Sequence, residues 1–263
     1  MNGTRVRVRR ERPTALAWSI ALAVTMLAVY MLTLSASLPD AVESASASPR
    51  VTREVTFEPL EGWCVSMGTW PTEDQARIEA AGYAASGAAG CPWEADGQWH
   101  LLGTLADSQK QAERMAKKLR DDGIEAEALC LSAEKVKLRV TAPEAQIERI
   151  TEAIAMLNSQ SEQLSDAARQ LDRGTLQPEA ARTLCALAAT ETGTLAERLA
   201  VFPGAGDNAL CVGLMDALVR LSGHLGEIAD SAQTAAPALS GMLRMAGIDS
   251  FLHLKALQES IGR

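Results

Sequence analysis

Hydrophobic and polar residues change their spacing twice along this chain, and each pattern predicts a different kind of structure. An uncharged run covers residues 15–34, strand-like alternation begins near residue 53, and a helical period begins at Pro143. Alternation with a period of two predicts half-buried strands, whereas apolar residues three and four apart predict the buried face of a helix. We therefore expect a membrane segment, a mixed region of strands and helices, and a helical region.

The uncharged run is long enough to cross a membrane. Its twenty residues, as a helix, cover the ~30 Å hydrocarbon core of a bilayer. Arginines in the basic tail, residues 1–14, predict a cytoplasmic N-terminus. We therefore predict a single-pass protein of the cytoplasmic membrane, with a transmembrane helix over 15–36 and the rest of the chain extracytoplasmic. A cleaved signal peptide is the alternative, because small residues follow the run.

The region after the membrane segment predicts a linker and then a small sheet. Residues 37–52 are rich in Ser, Ala and Pro and have no hydrophobic period, as in a linker. Residues 53–141 alternate strand-like and helix-like segments in the order β-α-β-β-α-β, with Asp96-Gly97 as a hairpin turn. This order predicts a split β-α-β domain, an antiparallel sheet with helices on one face and an open face for a ligand.

From Pro143 the apolar residues follow a heptad period that predicts a long helix. The seam positions are Ile147, Ile150, Ile154, Leu157, Ser161, Leu164, Ala168 and Leu171, of which one is polar. Three further helices follow after Gly174, and short connections make neighbouring helices antiparallel. Residues 143–263 are therefore expected to form a helical bundle. Such a seam can also mediate dimers, and that alternative stays open.

The predicted fold class is α+β. It consists of an N-terminal transmembrane helix, a split β-α-β (βαββαβ, ferredoxin/RNP-like) domain, and then an all-α antiparallel helical bundle. The net charge is −8, and the tail contributes +4 from five arginines and Glu11, so the remainder carries −12. We expect no nucleic-acid partner, because phosphate backbones are bound by lysine and arginine.

A short sequence motif, here called the doubled phrase, occurs twice in the predicted sheet, as "GWCVSMGTW" and "GQWHLLGTL". The Gly-Thr pair of the second copy, at Gly103, follows that of the first, at Gly68, after 35 residues. Each copy predicts a strand, a Gly-Thr turn and a helix. Gly68 and Gly103 are therefore predicted to be structural turn residues in two halves related by internal symmetry.

With this phrase the chain resembles the SPOR (sporulation-related repeat) domain family over about residues 57–131. The resemblance rests on Val65-Ser66-Met67-Gly68-Thr69-Trp70 with Ala76, and on Leu101-Leu102-Gly103-Thr104-Leu105 with Ala112. It implies a membrane-anchored bacterial envelope protein that binds septal peptidoglycan glycan strands during cell division or sporulation. Divisome or sporulation proteins are then the expected partners of the helical bundle.

Glycan recognition requires aromatic rings that stack on sugars and polar groups that orient them, a logic that parallels base stacking. Candidate residues lie in the predicted strands and at their rims. They are Cys64, Ser66, Trp70, Trp93, Trp99 and Leu101.

Alternation assigns most of these residues to the open face. Cys64 and Ser66 alternate with apolar residues that should face the helices. Matching the two copies of the phrase puts Trp99 and Leu101 on the open face as well, and a shift of one residue would exchange His100 for Trp99. Packing in the core is the alternative for Trp99.

The sequence predicts no enzyme, no cofactor and no metal site. The three histidines are isolated in the chain, and no zinc-protease, phosphate-loop or nucleophile-elbow motif is present. Five scattered cysteines fit small buried residues, although Cys64 could pair with Cys91 or Cys130 outside the membrane. The alternative function is an envelope assembly or scaffold protein, whose SPOR-like and helical domains bind protein partners without glycan recognition.

Overall fold

The computed structural model describes residues 49–232 and 235–262, and residues 47–263 belong to one compact unit. The strands of the described chain are β1 Arg50–Phe57, β2 Leu60–Trp70, β3 Cys91–Ala95, β4 Gln98–Ala106, β5 Glu127–Ala133 and β6 Val136–Pro143. Its α-helices are α1 Glu73–Ala85, α2 Gln109–Asp121, α3 Glu144–Asp172, α4 Pro178–Ala200, α5 Ala209–Asp230 and α6 Ala236–Ile261. This is an α+β structure with two small sheets.

Four strands form an antiparallel sheet in the order β3-β4-β2-β5, and α1 and α2 follow β2 and β4 in the chain. Each of these helices begins at a hydroxyl cap. The Oγ atom of Thr72 accepts a hydrogen bond from the backbone N–H of Gln75 (3.4 Å), and that of Ser108 accepts one from Gln111 (3.3 Å). Such caps satisfy N–H groups that the first helical turn leaves without a partner.

Strands β1 and β6 form the second sheet, which continues the pairing of β2 with β5. Phe57 lies opposite Val136 at the end of one ladder, and Leu60 lies opposite Ala133 at the start of the next. The register therefore passes unchanged through a gap of two residues in each strand. Strands β1 and β2 form one arm of a long antiparallel ribbon, and β5 and β6 form the other arm.

The gap in this ribbon is held by Gln258 of α6, which is only 1% exposed. Its Nε2 atom donates hydrogen bonds to the carbonyl oxygen of Glu58 (3.0 Å) and to that of Glu134. Lys135 adds an ion pair with the carboxylate of Glu58 at 2.8 Å. Since carbonyl groups that leave a ladder need another donor, the last helix stabilises the point where the ribbon leaves the sheet.

Helices α3 to α6 bury the seam that the sequence predicts on α3, and all eight seam residues are buried. Ser240 of α6 donates a hydrogen bond to the carbonyl group of Ala168 (3.3 Å), and Gly247, one heptad later, lies beside Ser161, one heptad earlier. These two helices are therefore antiparallel. Within the described chain the seam packs against helices of the same molecule.

Helix α6 also covers one face of the four-stranded sheet. Its residues Ile248 and Phe251 pack against Cys64, Leu102 and Leu131, on the face opposite α2. The central strands carry apolar side chains on both faces, and a two-layer arrangement would leave one apolar face in water. The predicted fold class, a sheet with an open face followed by an all-α bundle, is therefore wrong.

The membrane helix is a separate part of that fold class. Residues 15–36, where the sequence predicts it, lie outside the described residues. In the described part of the chain, α5 is the one helix with the length and apolar composition to cross a bilayer. Its residues Leu214, Leu218 and Leu221 are buried in the core of the helical region, as expected for a core helix of a globular protein.

Candidate functional site

Three of the residues predicted to contact glycan lie inside the protein. Cys64, Ser66 and Leu101 are each 0% exposed. The Oγ atom of Ser66 donates a hydrogen bond to the carbonyl oxygen of Gly68 (3.1 Å), and burial raises the pKa of the Cys64 thiol. A ligand reaches these side chains only if the packing around them opens.

Two compensating bulges decide which residues of β4 face α6. Gly103 is an extra residue in β4 with no partner in β2, and Leu101 then lies opposite two residues of β2, one of which is Gly68. Extra residues exchange the two faces of a strand locally. His100 therefore shares the face covered by α6 and Trp99 does not, which is the shifted arrangement that the sequence left open.

Backbone conformation favours glycine at the first bulge, and at the second bulge glycine leaves room for a neighbouring side chain. Gly68 has a φ of 103°, a left-handed conformation that other residues rarely adopt, and a Cβ atom there would lie 2.8 Å from the ring of Trp70. A Cβ atom on Gly103 would lie 2.8 Å from the Sδ atom of Met67. Both glycines lie within strands and not in turns, so the doubled phrase encodes a pair of bulges.

The other predicted residues, Trp70, Trp93 and Trp99, are half-buried at the end of the sheet. Trp70 and Trp99 are partners in the pairing of β2 with β4 and so share a face. Trp93 packs on His100, with 5.7 Å between ring centroids, and the Nδ1 atom of His100 lies 3.4 Å from the carboxylate of Glu127. This end of the sheet keeps some accessible aromatic surface.

A cleft of about 560 Å³ lies where the ribbon leaves the sheet, between the ends of β2 and β4 and the helices α3 and α6. Its volume is in the range of ligand sites. Apolar residues form its floor, namely Leu105, Leu157, Phe251 and Leu254. Polar residues line its walls, among them Glu61, Asp107, Ser161, Glu162 and Arg169. We take this cleft as the candidate functional site.

One sequence signal marks the cleft, although its walls come from distant segments. Ser161 is the polar position in the seam of α3, and in the structure it lines the cleft. Its Oγ atom donates to the carbonyl oxygen of Asn158 (3.4 Å), and the Oγ atom of Ser165 donates to that of Ser161 (2.9 Å). Both hydroxyl groups are thus satisfied within α3, and α3 needs no polar partner from α6 here.

The cleft has an excess of negative charge. Among its described lining residues, Arg169 is the one cation, against the carboxylates of Glu61, Asp107 and Glu162. The Nη1 atom of Arg169 lies 2.6 Å from Asp107, and its Nη2 atom lies 3.5 Å from Asp166. The arginine is therefore neutralised within the protein, and the cleft attracts cations.

A second group of titratable side chains joins α5 to α6. The Nε2 atom of His224 lies 3.3 Å from the Oδ2 atom of Asp249, and the Nδ1 atom of His253 lies 3.4 Å from the same oxygen. The hydrogen bond to Asp249 raises the pKa of His224, against the opposing effect of burial. Burial alone would raise the pKa of Asp249, but the hydrogen bond from His224 and the charge of His253 outweigh it, and this pKa is lowered.

Sequence reasoning missed this group because folding alone brings the two helices together. In residues 49–232 and 235–262, no group of three His, Cys, Asp or Glu side chains is arranged to hold a metal ion. The five cysteines are free thiols, of which Cys130 is exposed and the other four are buried.

No protein-family model, no curated protein and no solved structure matches the chain. The resemblance to the SPOR family therefore stays a prediction from the residues of the doubled phrase. The predicted partners, peptidoglycan glycan strands, the membrane and divisome or sporulation proteins, stay predictions too. What the structure adds is a helical C-terminal region, a sheet covered on both faces and an acidic cleft.

Proposed function

We propose that this chain is a non-enzymatic assembly protein of the cell envelope that binds a protein partner without glycan recognition. The observation that carries the proposal is the burial of Cys64, Ser66 and Leu101. Sugars bind to exposed rings and polar groups, in the same way that bases stack on exposed aromatic side chains. The two buried faces of the sheet, which carry these three side chains, offer neither.

The charge of the protein also supports a protein partner. The chain beyond the N-terminal tail carries a net charge of −12, and the cleft has the same sign. Complementary charge speeds the encounter of two proteins and excludes partners of the same sign. A basic surface on another envelope protein satisfies this requirement.

The proposed location is the extracytoplasmic side of the cytoplasmic membrane. This part of the proposal rests on the arginines of the tail and the uncharged residues 15–34, which predict a cytoplasmic N-terminus. The partner would then be a membrane or envelope protein of the division or sporulation machinery.

Glycan binding at the end of the sheet is the second candidate function, and one observation favours it. Trp70 and Trp99 are half-buried cross-strand partners on one face, so their rings together offer an aromatic surface. Such a surface would stack on sugar rings without any change in the position of α6.

Sedimentation of the full-length protein with amidase-treated cell-wall sacculi separates the two functions. We expect no retention beyond that of an unrelated acidic protein, and the same result for the double variant Trp70→Ala/Trp99→Ala. Retention of the wild type that this variant loses would replace our proposal with glycan recognition.

Photo-crosslinking in living cells supplies the positive test. A photoreactive residue at Glu162 lies in the cleft, and the same residue at Glu148 is an exposed control on α3 outside it. We expect one protein adduct of defined mass from position 162 and none from position 148. Equal adducts from both positions would contradict a specific partner site.

A further inference from the structure

The wall of the cleft formed by β2 is an open strand edge. On one side, β5 pairs with β2 from Leu60 to Ser66. On the other side, β4 pairs with β2 only from Trp63 onward, because β4 ends at Ala106. Within the described chain, residues 60–62 therefore have no neighbouring strand on the side of the cleft.

This edge presents unpaired backbone groups. In a strand, the N–H and C=O groups of one residue point to the same edge, and those of the next residue point to the opposite edge. At least one of residues 60–62 therefore directs both groups to the free side. In the described chain, no backbone hydrogen bond outside the regular helices and strands involves these residues. An edge of this kind binds an added strand through main-chain hydrogen bonds.

Gly62 allows an apolar floor to form beside this edge. A Cβ atom on Gly62 would lie 2.7 Å from the Cζ atom of Phe251, so any side chain at this position would displace the ring. The ring instead packs close to the strand and continues the floor formed by Leu157 and Leu254. A strand added at the edge would place every second side chain on this floor.

The rim of the cleft selects for basic side chains. The carboxylate of Glu61 accepts a hydrogen bond from the indole N–H of Trp63 (3.1 Å), and Glu162 is exposed on the facing helix. Neither carboxylate has a basic partner among the described residues, and Arg169 is already paired with Asp107. Lysine or arginine on the outward side of an added strand would neutralise both.

We propose that the cleft binds an extended segment of a partner protein, with alternating basic and apolar residues, as a strand added to β2 at residues 60–62. The apolar side chains pack on Phe251 and its neighbours, and the basic side chains pair with Glu61 and Glu162. This inference rests on the proposed function and names its site and the chemistry of its partner.

Peptide binding to the full-length protein tests the inference. The probe is a fluorescent peptide Lys-Val-Lys-Val-Lys with blocked ends, titrated by fluorescence anisotropy. One matched peptide carries Glu in place of Lys, and another is methylated at every backbone nitrogen. We expect the basic peptide to bind and both matched peptides to bind at least about tenfold more weakly, because one loses the charge pairing and the other the main-chain hydrogen bonds.

Two charge reversals place the peptide in the cleft. Glu162→Lys should weaken binding of the basic peptide by about threefold to tenfold, as expected when an exposed attraction becomes a repulsion. Glu148→Lys makes the same change at an exposed position of α3 outside the cleft and should leave the affinity unchanged. Equal effects of the two substitutions would overturn the assignment to the cleft.

The remaining outcomes separate this inference from the proposed function. Equal binding of the methylated peptide, or no binding of the basic peptide at about 1 mM, would overturn strand addition and leave a protein partner at another surface. Displacement of the bound peptide by an N-acetylglucosamine tetramer would assign the cleft to sugar and overturn both proposals.

Discussion

Gln258 is the side chain through which the last helix stabilises the ribbon, and replacing it with leucine tests this role. Leucine is apolar and similar in size, so Gln258→Leu removes two hydrogen bonds without opening a large cavity. The carbonyl groups of Glu58 and Glu134 then lose their donor from α6. We expect the gap in the ribbon to become the weakest point of the sheet.

The size of the effect follows from these two bonds. Each neutral hydrogen bond contributes about 0.5–1.5 kcal/mol net, and a buried acceptor left without a donor costs about 1–3 kcal/mol. Glu58 and Glu134 are exposed residues, so water replaces part of the lost donor. We therefore expect the free energy of unfolding to fall by about 2 kcal/mol, which lowers Tm by about 4–8 °C in a unit of this size.

Gln146 on α3 provides a matched control. It is also buried, but its one hydrogen-bond partner in the described chain is the Sγ atom of Cys211, at 3.7 Å. Because sulfur is a weak acceptor, Gln146→Leu should change the free energy of unfolding by less than about 0.5 kcal/mol.

The assay is urea unfolding of the full-length protein, followed by two signals. Tryptophan fluorescence reports mainly the four-stranded sheet, because four of the five tryptophans, Trp63, Trp70, Trp93 and Trp99, lie in it. Far-UV circular dichroism reports the helices. The two transitions of the wild type should coincide, because α6 belongs to both cores. The reasoning is refuted if Gln258→Leu is as stable as Gln146→Leu.

Two further predictions concern packing and pH. A Cβ atom on Gly241 would lie 2.8 Å from the backbone oxygen of Ala84, so Gly241→Ala should separate α6 from α1 and cost about 1–3 kcal/mol. Gly226 on α5 has open space around it, so the control substitution Gly226→Ala should stabilise the protein by up to about 1 kcal/mol. Thermal unfolding compares the two variants. An unchanged stability of the Gly241→Ala variant would contradict the packing of α6 on α1. His224→Gln should destabilise the protein at about pH 6 but hardly at about pH 8.5. The pKa of His224 is raised in the folded protein, so its ion pair contributes its full stabilisation below the pKa of the unfolded chain, about 6.5. This stabilisation is lost as the pH rises through the pKa of the folded protein. Unfolding midpoints at the two pH values check this, and equal losses at both would count against the ion pair with Asp249.

The packing of α6 also affects a simple genetic experiment. Deleting residues 53–141 would remove the sheet against which Ile248 and Phe251 pack, and it would expose the apolar face of α6. Loss of localisation in such a deletion would therefore report misfolding as readily as a missing binding site. Point substitutions at exposed residues such as Glu162 avoid this ambiguity.

Local elements were readable from the sequence, because they depend on residues that are close in the chain. Every position of the heptad seam on α3 is buried. Thr72 and Ser108 cap helices by accepting a hydrogen bond from the backbone N–H group three residues later in the chain. One residue of the cleft also stands out in the sequence, because Ser161, which lines the cleft, is the polar member of that seam.

The tertiary structure alone decided which surfaces meet. Alternation along β2 shows that Cys64 and Ser66 share a face, but it does not show that α6, almost two hundred residues later, buries that face. The paired bulges at Gly68 and Gly103 exchange His100 for Trp99 through a register that involves two strands at once. Periodicity is a local property, whereas the partner of each apolar face is selected by packing among distant segments, and for that reason the candidate site moved from the sheet face to the cleft.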